Sequence, residues 1–268
     1  MIPVITGSLS RLELPIAKWC PHDRLYVLVE PHQFGDYVAA HPGVHIGVLQ
    51  ESGRGFGYML NCAQQIAREW DEEHWMFCDD DVTGLYWRDR VGDKFVRRDP
   101  LEALDRIDTR VRALSVSVAQ MAISFAGQSW GATKPWIEPT GAWGCLVNRT
   151  DAVHHVGGYS EKLPLFNDWE LSARLVASGY QVGRWNLVGF EHTMKSHEGG
   201  AADIYRNVSL VNDTAMLLNR RWSAASRLVE AHGQLEVRFD WRRIKASASL
   251  RPLPPDQAPS VLAVRNRR

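Results

Sequence analysis

The spacing of apolar residues predicts that strands and helices alternate over the first 80 residues. Short apolar runs that stop at polar or glycine residues indicate strands, and Tyr58–Trp70 carries apolar residues at helical spacing. The predicted strands are 2–6, 25–29, 44–49 and 75–78, and a further predicted helix is Arg11–Trp19. This alternation is typical of an α/β domain with a mostly parallel central sheet and helices on both faces. Ligands of such sheets gather at the carboxyl ends of the strands.

The pattern continues beyond residue 80. It predicts a helix over 99–125, a strand over 141–147, a helix over 168–178, a strand over 180–188, a helix over 202–219 and an alternating edge strand over 234–246. From Arg251 the chain is rich in proline and basic residues. We therefore expect a core over 1–219, a basic C-terminal extension over 220–250 that packs on this core, and a tail over 251–268.

Charge is uneven although the totals balance. The 268 residues include 31 basic (Lys and Arg) and 31 acidic ones, but residues 220–268 contain eleven basic and four acidic residues. A basic end of this kind suits nucleic acid or an anionic surface, and a solvated tail is the simpler alternative. The four cysteines form no CxxC pair, and no apolar run reaches the roughly 18 residues of a membrane span. We therefore expect a soluble cytoplasmic protein that does not act at a membrane.

The stretch WMFCDDD carries the clearest chemical signal. An apolar strand ends at Asp79, Asp80 and Asp81, and adjacent carboxylates repel one another unless a cation lies between them. Oxygen ligands at a strand end suit Mg2+ or Mn2+. If the strand geometry continues, Asp79 and Asp81 point the same way and Asp80 points oppositely. An acidic turn or a helix N-terminus is the alternative interpretation.

Four motifs in this order resemble the GT-A glycosyltransferases, which transfer a sugar from a nucleotide-sugar. They are the Asp-x-Asp at 79–81, the glycine-containing Gly141-Ala142-Trp143-Gly144, the acidic helix start Asn167-Asp168-Trp169-Glu170-Leu171, and a histidine beyond the last core strand. The resemblance covers about residues 1–200 and departs from the family at Asn167, where the family has Glu. It implies a GT-A fold, a UDP-sugar donor and a Mn2+ or Mg2+ ion.

The start IPVITGSLSR and the stretch HEGGA are similar to the TET/JBP-associated glycosyltransferases, which include phage enzymes that glycosylate 5-hydroxymethylpyrimidines in DNA. This narrower resemblance implies a DNA acceptor, a hexose such as glucose and a phage gene expressed in a bacterial host. Arg242 and Arg243 would then contact phosphates, and the target base would be exposed, for example by flipping. Charges that keep an edge strand soluble are the alternative.

The resemblance assigns roles to individual residues. Asp168 would be the general base of an inverting transfer, with Glu170 as a weaker candidate for that role. A helix N-cap is the alternative role for Asp168. Asp79, Asp81 and His197 would hold the metal, with His192 as the other candidate. The expected donor-binding residues are Thr6, Ser8, Arg11, Glu30, Gly53, Arg54, Asn61, Asp79 and Asp80. The expected acceptor-binding residues are Trp143, Gly144, Trp169, Arg242 and Arg243.

Three other functions stay open at this stage. The first is a transferase of the same fold that acts on a small molecule or a glycan. The second is a nucleotidyltransferase, although only Arg11 offers a cation near the first strand. The third is a protein that binds a nucleotide-sugar or DNA without catalysis. The sequence leaves the oligomeric state open.

Overall fold

The computed structural model describes residues 2–97, 99–114, 116–126, 132–142, 144–192 and 206–246. The strands in these ranges are β1 Val4–Gly7, β2 Leu25–Val29, β3 His45–Val48, β4 His74–Cys78, β5 Val82–Trp87, β6 Val96–Arg97, β7 Val118–Phe125, β8 Trp136–Ile137, β9 Cys145–Arg149, β10 Gln181–His192, β11 Ser226–Ala231 and β12 Gln234–Phe239. The α-helices are α1 Phe34–Ala40, α2 Phe56–Glu69, α3 Pro100–Arg112, α4 Thr150–His155, α5 Asn167–Ala177, α6 Val208–Arg221 and α7 Trp241–Ala246.

Ten strands form one mixed sheet in the order β3-β2-β1-β4-β9-β7-β10-β5-β6, and β8 pairs with β10. Strands β1 to β4 are parallel, and β10 is parallel to β7. Strand β9 runs antiparallel to both β4 and β7. The carboxyl ends of β1, β2, β3, β4, β7 and β10 therefore share one edge of the sheet. This arrangement confirms the predicted α/β class with a mostly parallel central sheet.

Helices cover both faces of the sheet. Alternation along β4 sends Trp75 and Phe77 into a core with α2, α4 and α5, and it sends Met76 and Cys78 into a second core with α1 and α3. All four side chains are fully or almost fully buried. Burial of each large apolar side chain stabilises the fold by about 1.5–3 kcal/mol, so both faces contribute to stability.

The C-terminal part is a small unit that packs on α5 and α6. Strands β11 and β12 form a hairpin, and Asn212 Oδ1 on α6 accepts from the Leu235 amide at 2.7 Å. The single edge strand predicted over 234–246 is wrong beyond Phe239, because Asp240 accepts from the amides of Arg242 and Arg243 and begins helix α7. Ile244 of this helix is fully buried.

Other sequence predictions also need correction. Residues 118–125 are a strand rather than the end of a helix, since this run is buried on both faces between β9 and β10. The helix predicted over Arg11–Trp19 is only one 3-10 turn, Pro15–Lys18. The strand predicted from Gly141 begins at Cys145, after Gly144 adopts a φ of +74°. The tail 251–268 lies outside the described residues.

Candidate active site at the carboxyl edge of the sheet

The three aspartates lie in a tight turn rather than on a continuing strand. Strand β4 ends at Cys78, and the Val82 amide donates to the Asp79 carbonyl at 3.2 Å, which reverses the chain into β5. The strand geometry from which we expected Asp80 to point away from Asp79 and Asp81 therefore does not continue past Cys78. Nη1 of Arg11 lies 2.7 Å from Oδ1 of Asp80 and 3.6 Å from Oδ2 of Asp81. The acidic turn, which was the alternative interpretation of the sequence, is therefore present, and the three carboxylates of the candidate site lie in it.

Asp80 anchors the segment that follows β1. Its Oδ2 accepts from Ser8 Oγ at 2.5 Å, and its Oδ1 accepts from Arg11. Tyr37 on α1 completes the network, because its hydroxyl lies 2.9 Å from Ser8 Oγ and donates to the Arg11 carbonyl at 2.8 Å. No pattern in the sequence indicated a role for Tyr37. Ser8, Arg11 and Asp80 therefore hold one another at the end of β1, where a nucleotide was expected.

Asp81 lies beside His192, the last residue of β10. Oδ2 of Asp81 is 3.8 Å from Nδ1 of His192, and the imidazole packs edge-on against Phe125. Nε2 of His192 is buried and has no hydrogen-bond partner among the described residues. His197, the histidine favoured from sequence, lies outside the described residues.

Two observations fit a divalent cation at this turn. The first is the raised pKa of the Asp79 carboxyl, which lies well above the usual range. Burial is the largest cause, followed by the charges of Asp81, Asp80 and Asp168, and Arg11 opposes the shift with a smaller effect. The imidazole of His192 offers a nitrogen ligand, because its Nδ1 lies 3.8 Å from Asp81 and its buried Nε2 has no hydrogen-bond partner among the described residues. Within the described parts of the chain, no three His, Cys, Asp or Glu side chains already form a group that could hold a metal. Asp79, Asp81 and His192 therefore have the chemistry of ligands for a divalent cation, although they do not already form a metal-binding group.

Asp168 lies in the first turn of α5 and is not its N-cap, which corrects the alternative role considered from sequence. Phe166 precedes the helix with a left-handed φ of 62°, and the Asp168 carboxylate accepts from the Trp169 amide at 2.8 Å. Asn167 is buried and donates from Nδ2 to the carbonyls of Ser160 and Leu163. Asn167 therefore fixes the entry into the helix.

The environment of Asp168 suits a base that works near neutral pH. Burial raises the pKa of its carboxyl to about 7, although the Trp169 amide opposes the shift. Asp168 also contributes to the raised pKa of Asp79, so the two carboxylates share one electrostatic environment. A partly buried carboxylate with a pKa near 7 can accept a proton from a hydroxyl as a bond forms.

The glycine-rich turn after β3 and the end of β2 lie together. Glu30 Oε1 accepts from the Gly53 amide at 2.7 Å. Arg54 forms ion pairs with Glu51 at 2.7 Å and Glu161 at 2.9 Å. Glu161 was not among the residues predicted from the sequence, because its distance from Arg54 along the chain gives no sign of their contact.

The other expected donor residues are already engaged or buried. Asn61 Nδ2 donates to the Tyr159 carbonyl at 2.9 Å, and Oδ1 accepts from the Tyr159 amide at 2.7 Å. Asn61 thereby holds the turn before α5 against α2. Thr6 is fully buried within β1, and its hydroxyl has no partner among the described residues.

Three aromatic side chains lie close together next to Asp168. The rings of Trp169, Phe239 and Trp241 lie 5.2 to 6.4 Å apart between centroids. A Cβ atom added to Gly141 would lie 3.1 Å from the Trp241 ring and 3.2 Å from the Trp169 ring, so this glycine leaves room for both indoles. We call Gly141, Trp169, Phe239 and Trp241 the aromatic wall.

The remaining acceptor candidates differ in their surroundings. Arg242 and Arg243 are exposed on α7, directly after Trp241. Gly144 has a positive φ and no room for a side chain, since an added Cβ would lie 2.5 Å from the Phe190 ring. It is therefore required by packing. Trp143 lies outside the described residues.

A scan against protein families and a search of curated proteins each find no match to the sequence. Among solved structures, S. aureus TarS 1–349 is 14% identical with a TM-score of 0.47, and the match covers 93% of this chain and 71% of that one. The same TarS fragment in complex with UDP-GlcNAc gives 14% identity and a TM-score of 0.45, over 83% and 72%. The catalytic domain of Drosophila β1,4-galactosyltransferase 7 in complex with xylobiose gives 12% and 0.44, over 89% and 94%. Similarities this low establish no family for this chain.

Proposed function

We propose that this protein is a metal-dependent glycosyltransferase that moves a hexose, such as glucose, from a UDP-sugar to a hydroxyl group with inversion at the anomeric carbon. The observation that carries the proposal is the meeting of Asp79, Asp81 and His192 with Asp168 at one carboxyl edge of the sheet. Ligands of open α/β sheets bind at this edge.

The donor would lie over the ends of β1, β2 and β3. Asp79, Asp81 and His192 would hold Mn2+ or Mg2+, which when bound neutralises the charge of a diphosphate. Glu30 is held against the Gly53 amide through Oε1. Its second oxygen lies 3.6 Å from Nδ1 of His32 and can exchange this contact for a hydrogen bond from the ribose or the base. Arg54 at the exposed glycine-rich turn can exchange its carboxylate partners for a phosphate. Asp80 supports this site indirectly by fixing Ser8 and Arg11.

The acceptor would approach from the opposite side, along the aromatic wall. Asp168 would take the proton of the attacking hydroxyl, and its pKa of about 7 matches that task. Attack from the side opposite the leaving diphosphate inverts the configuration. Glu170 is excluded as the base because its carboxylate is fully buried between two arginines.

We further propose 5-hydroxymethylpyrimidine DNA as the acceptor, in keeping with the resemblance to the TET/JBP-associated enzymes. The supporting observation is the combination of the aromatic wall with exposed Arg242 and Arg243 on the same short helix. Aromatic rings stack on exposed bases, and arginines bind the flanking phosphates. None of the helices within the described residues has the length and apolarity needed to cross a membrane.

A donor screen tests the proposal directly. Hydrolysis of UDP-, GDP- and TDP-sugars is measured with Mn2+ and with EDTA, first without an acceptor and then with duplex DNA that contains 5-hydroxymethylcytosine. We expect Mn2+-dependent release of UDP that rises with the modified DNA and not with unmodified DNA. If no nucleotide-sugar is consumed under any condition, the enzymatic proposal fails. If UDP release does not respond to the modified DNA, only the acceptor assignment fails.

A further inference from the structure

Glu170 is the centre of a buried ion-pair network that has no place in the chemistry proposed above. Its side chain is 0% exposed. Oε2 lies 2.8 Å from Arg174 Nη2 on the next turn of α5, and Oε1 lies 2.6 Å from Nη1 of Arg221 at the end of α6. A buried carboxylate is tolerated only when charged donors satisfy both of its oxygens, and here both are satisfied.

The network reaches both sides of the candidate active site. Arg174 also donates to the carbonyls of Val156 and Gly158, in the turn that Asn61 holds through Tyr159. Arg221 is followed by Trp222, whose ring packs against Phe239 of the aromatic wall. Glu170 therefore connects the turn on the donor side with the unit that carries the aromatic wall.

The network also acts on the helix turn that carries Asp168. The Glu170 amide donates to the Phe166 carbonyl at 3.0 Å and so closes the first turn of α5. Phe166 is in a left-handed conformation, which a non-glycine residue adopts only when its surroundings hold it. Asp168 lies between these two residues, so anchoring Glu170 restricts the direction of its carboxylate.

We propose that Glu170 and Arg221 are a positioning pair that holds Asp168 in its working orientation and couples it to the docking of the C-terminal unit. The proposal rests on Asp168 being the base of the transfer proposed above. Arg221 is the better residue to test, because it is 28% exposed and its loss disturbs the fold less than loss of Glu170. Arg220 is its matched control, as an exposed arginine one position earlier on the same helix.

The experiment compares full-length wild type with Arg221→Met, Arg221→Lys, Arg220→Met and Glu170→Gln. UDP-sugar hydrolysis with Mn2+ gives kcat, calorimetry gives the Kd of UDP with Mn2+, and hydrogen exchange reports on the amides of 167–172 and 241–246. In Arg221→Met we expect kcat to fall by about tenfold or more, as misplacement of a catalytic group causes, while Kd stays within about twofold. Exchange should accelerate in both segments. Arg221→Lys should recover most of kcat, and Arg220→Met should match wild type.

Two results would overturn the positioning role. One is unchanged kcat and unchanged exchange in Arg221→Met. The other is a parallel loss of kcat, UDP affinity and protection throughout the chain, which marks a purely structural pair. If wild type hydrolyses no UDP-sugar, the proposed function fails instead, and exchange at 167–172 still decides whether Arg221 holds the first turn of α5. Glu170→Gln checks the same link from the other partner and should lose kcat in the same direction.

Discussion

The carboxylate of Asp81 and the imidazole of His192 face each other across the edge of the sheet, with 3.8 Å between Oδ2 and Nδ1. The two residues are 111 positions apart in the sequence and meet because β5, which follows the aspartate turn, pairs antiparallel with β10. Burial of Nε2 without a partner among the described residues leaves a ligand position available.

The first prediction is that UDP binding depends on a divalent cation held by this pair. In His192→Ala and Asp81→Asn, the affinity for UDP with Mn2+ should fall by at least about tenfold, since each change removes a ligand. Binding in EDTA should be equally weak for all variants. Calorimetry of UDP with Mn2+ measures both effects. His155→Ala, an exposed histidine on α4, is the control, and equal losses in both histidine variants would contradict the assignment.

The second prediction concerns Asp168 and turnover. Asp168→Asn keeps the shape of the side chain and an acceptor for the Trp169 amide, but it does not take a proton at neutral pH. We expect kcat to fall by a factor of about 10²–10⁴ with UDP affinity unchanged. In wild type, kcat should rise with pH and level off above about 7, where the carboxyl is ionised. A flat profile between pH 5.5 and 8.5, or near-normal turnover in the variant, would show that another group is the base.

The raised pKa of Asp168 also predicts that Asp168→Asn becomes more stable relative to wild type as the pH rises. The pKa of Asp168 is raised from 3.8 to about 7 in the folded protein, so the folded protein binds this proton more tightly than the unfolded chain does. The stabilisation from this residue is complete below the unfolded pKa and is lost as the pH rises through 7. Asp168→Asn should therefore gain Tm relative to wild type as the pH increases from 5.5 to 8.5. Thermal melts at the two pH values measure this, and a constant difference would contradict the raised pKa.

The sequence predicted the fold better than it predicted the site. Apolar runs such as Trp75–Cys78 indicated the strands because both of their faces are buried. The same argument failed at 118–125, where a buried strand and a buried helix give similar patterns. The strand end at Asp79 located the candidate site, because carboxylates directly after a buried strand have few structural uses.

What the sequence could not predict are the long-range partners. Asn61 and Arg54 have the chemistry of ligand-binding residues, yet they hold Tyr159 and Glu161 about 100 positions away. Glu170 was a weaker candidate for the base, and only its burial against Arg221 shows that it is an ion-pair residue. Contacts of this kind depend on how α5 packs against α2 and α6, which local patterns do not encode.

The third aspartate supports a separate prediction. Asp80 accepts from Ser8 and Arg11. Asp80→Ala therefore removes the shortest contact of the Ser8 hydroxyl and of the Arg11 guanidinium, and leaves them the longer contacts with Tyr37 and Asp81. We expect a loss of about 1–3 kcal/mol in the free energy of unfolding. In Asp81→Ala the loss should be smaller, because Arg11 keeps its closer contact with Asp80. Urea denaturation of the two variants compares them, and equal losses would contradict the division of roles within the turn.

The last prediction tests the DNA acceptor through electrostatics. If Arg242 and Arg243 bind phosphates, replacing both with Glu should weaken the binding of duplex DNA. The slope of log affinity against log salt should then fall by about 0.9 for each lost contact. Removal of 251–268 from this variant should weaken binding further. Arg68→Glu is the control, since this exposed arginine lies near the C-terminal end of α2, away from the aromatic wall.

Fluorescence anisotropy over a salt series gives the slopes. Trp241→Ala separates stacking from charge, because it should lower affinity without changing the slope. If the arginine variant and the tail deletion leave affinity and slope intact, the aromatic wall would have to serve an uncharged acceptor, such as a glycan stacked on Trp169 and Trp241.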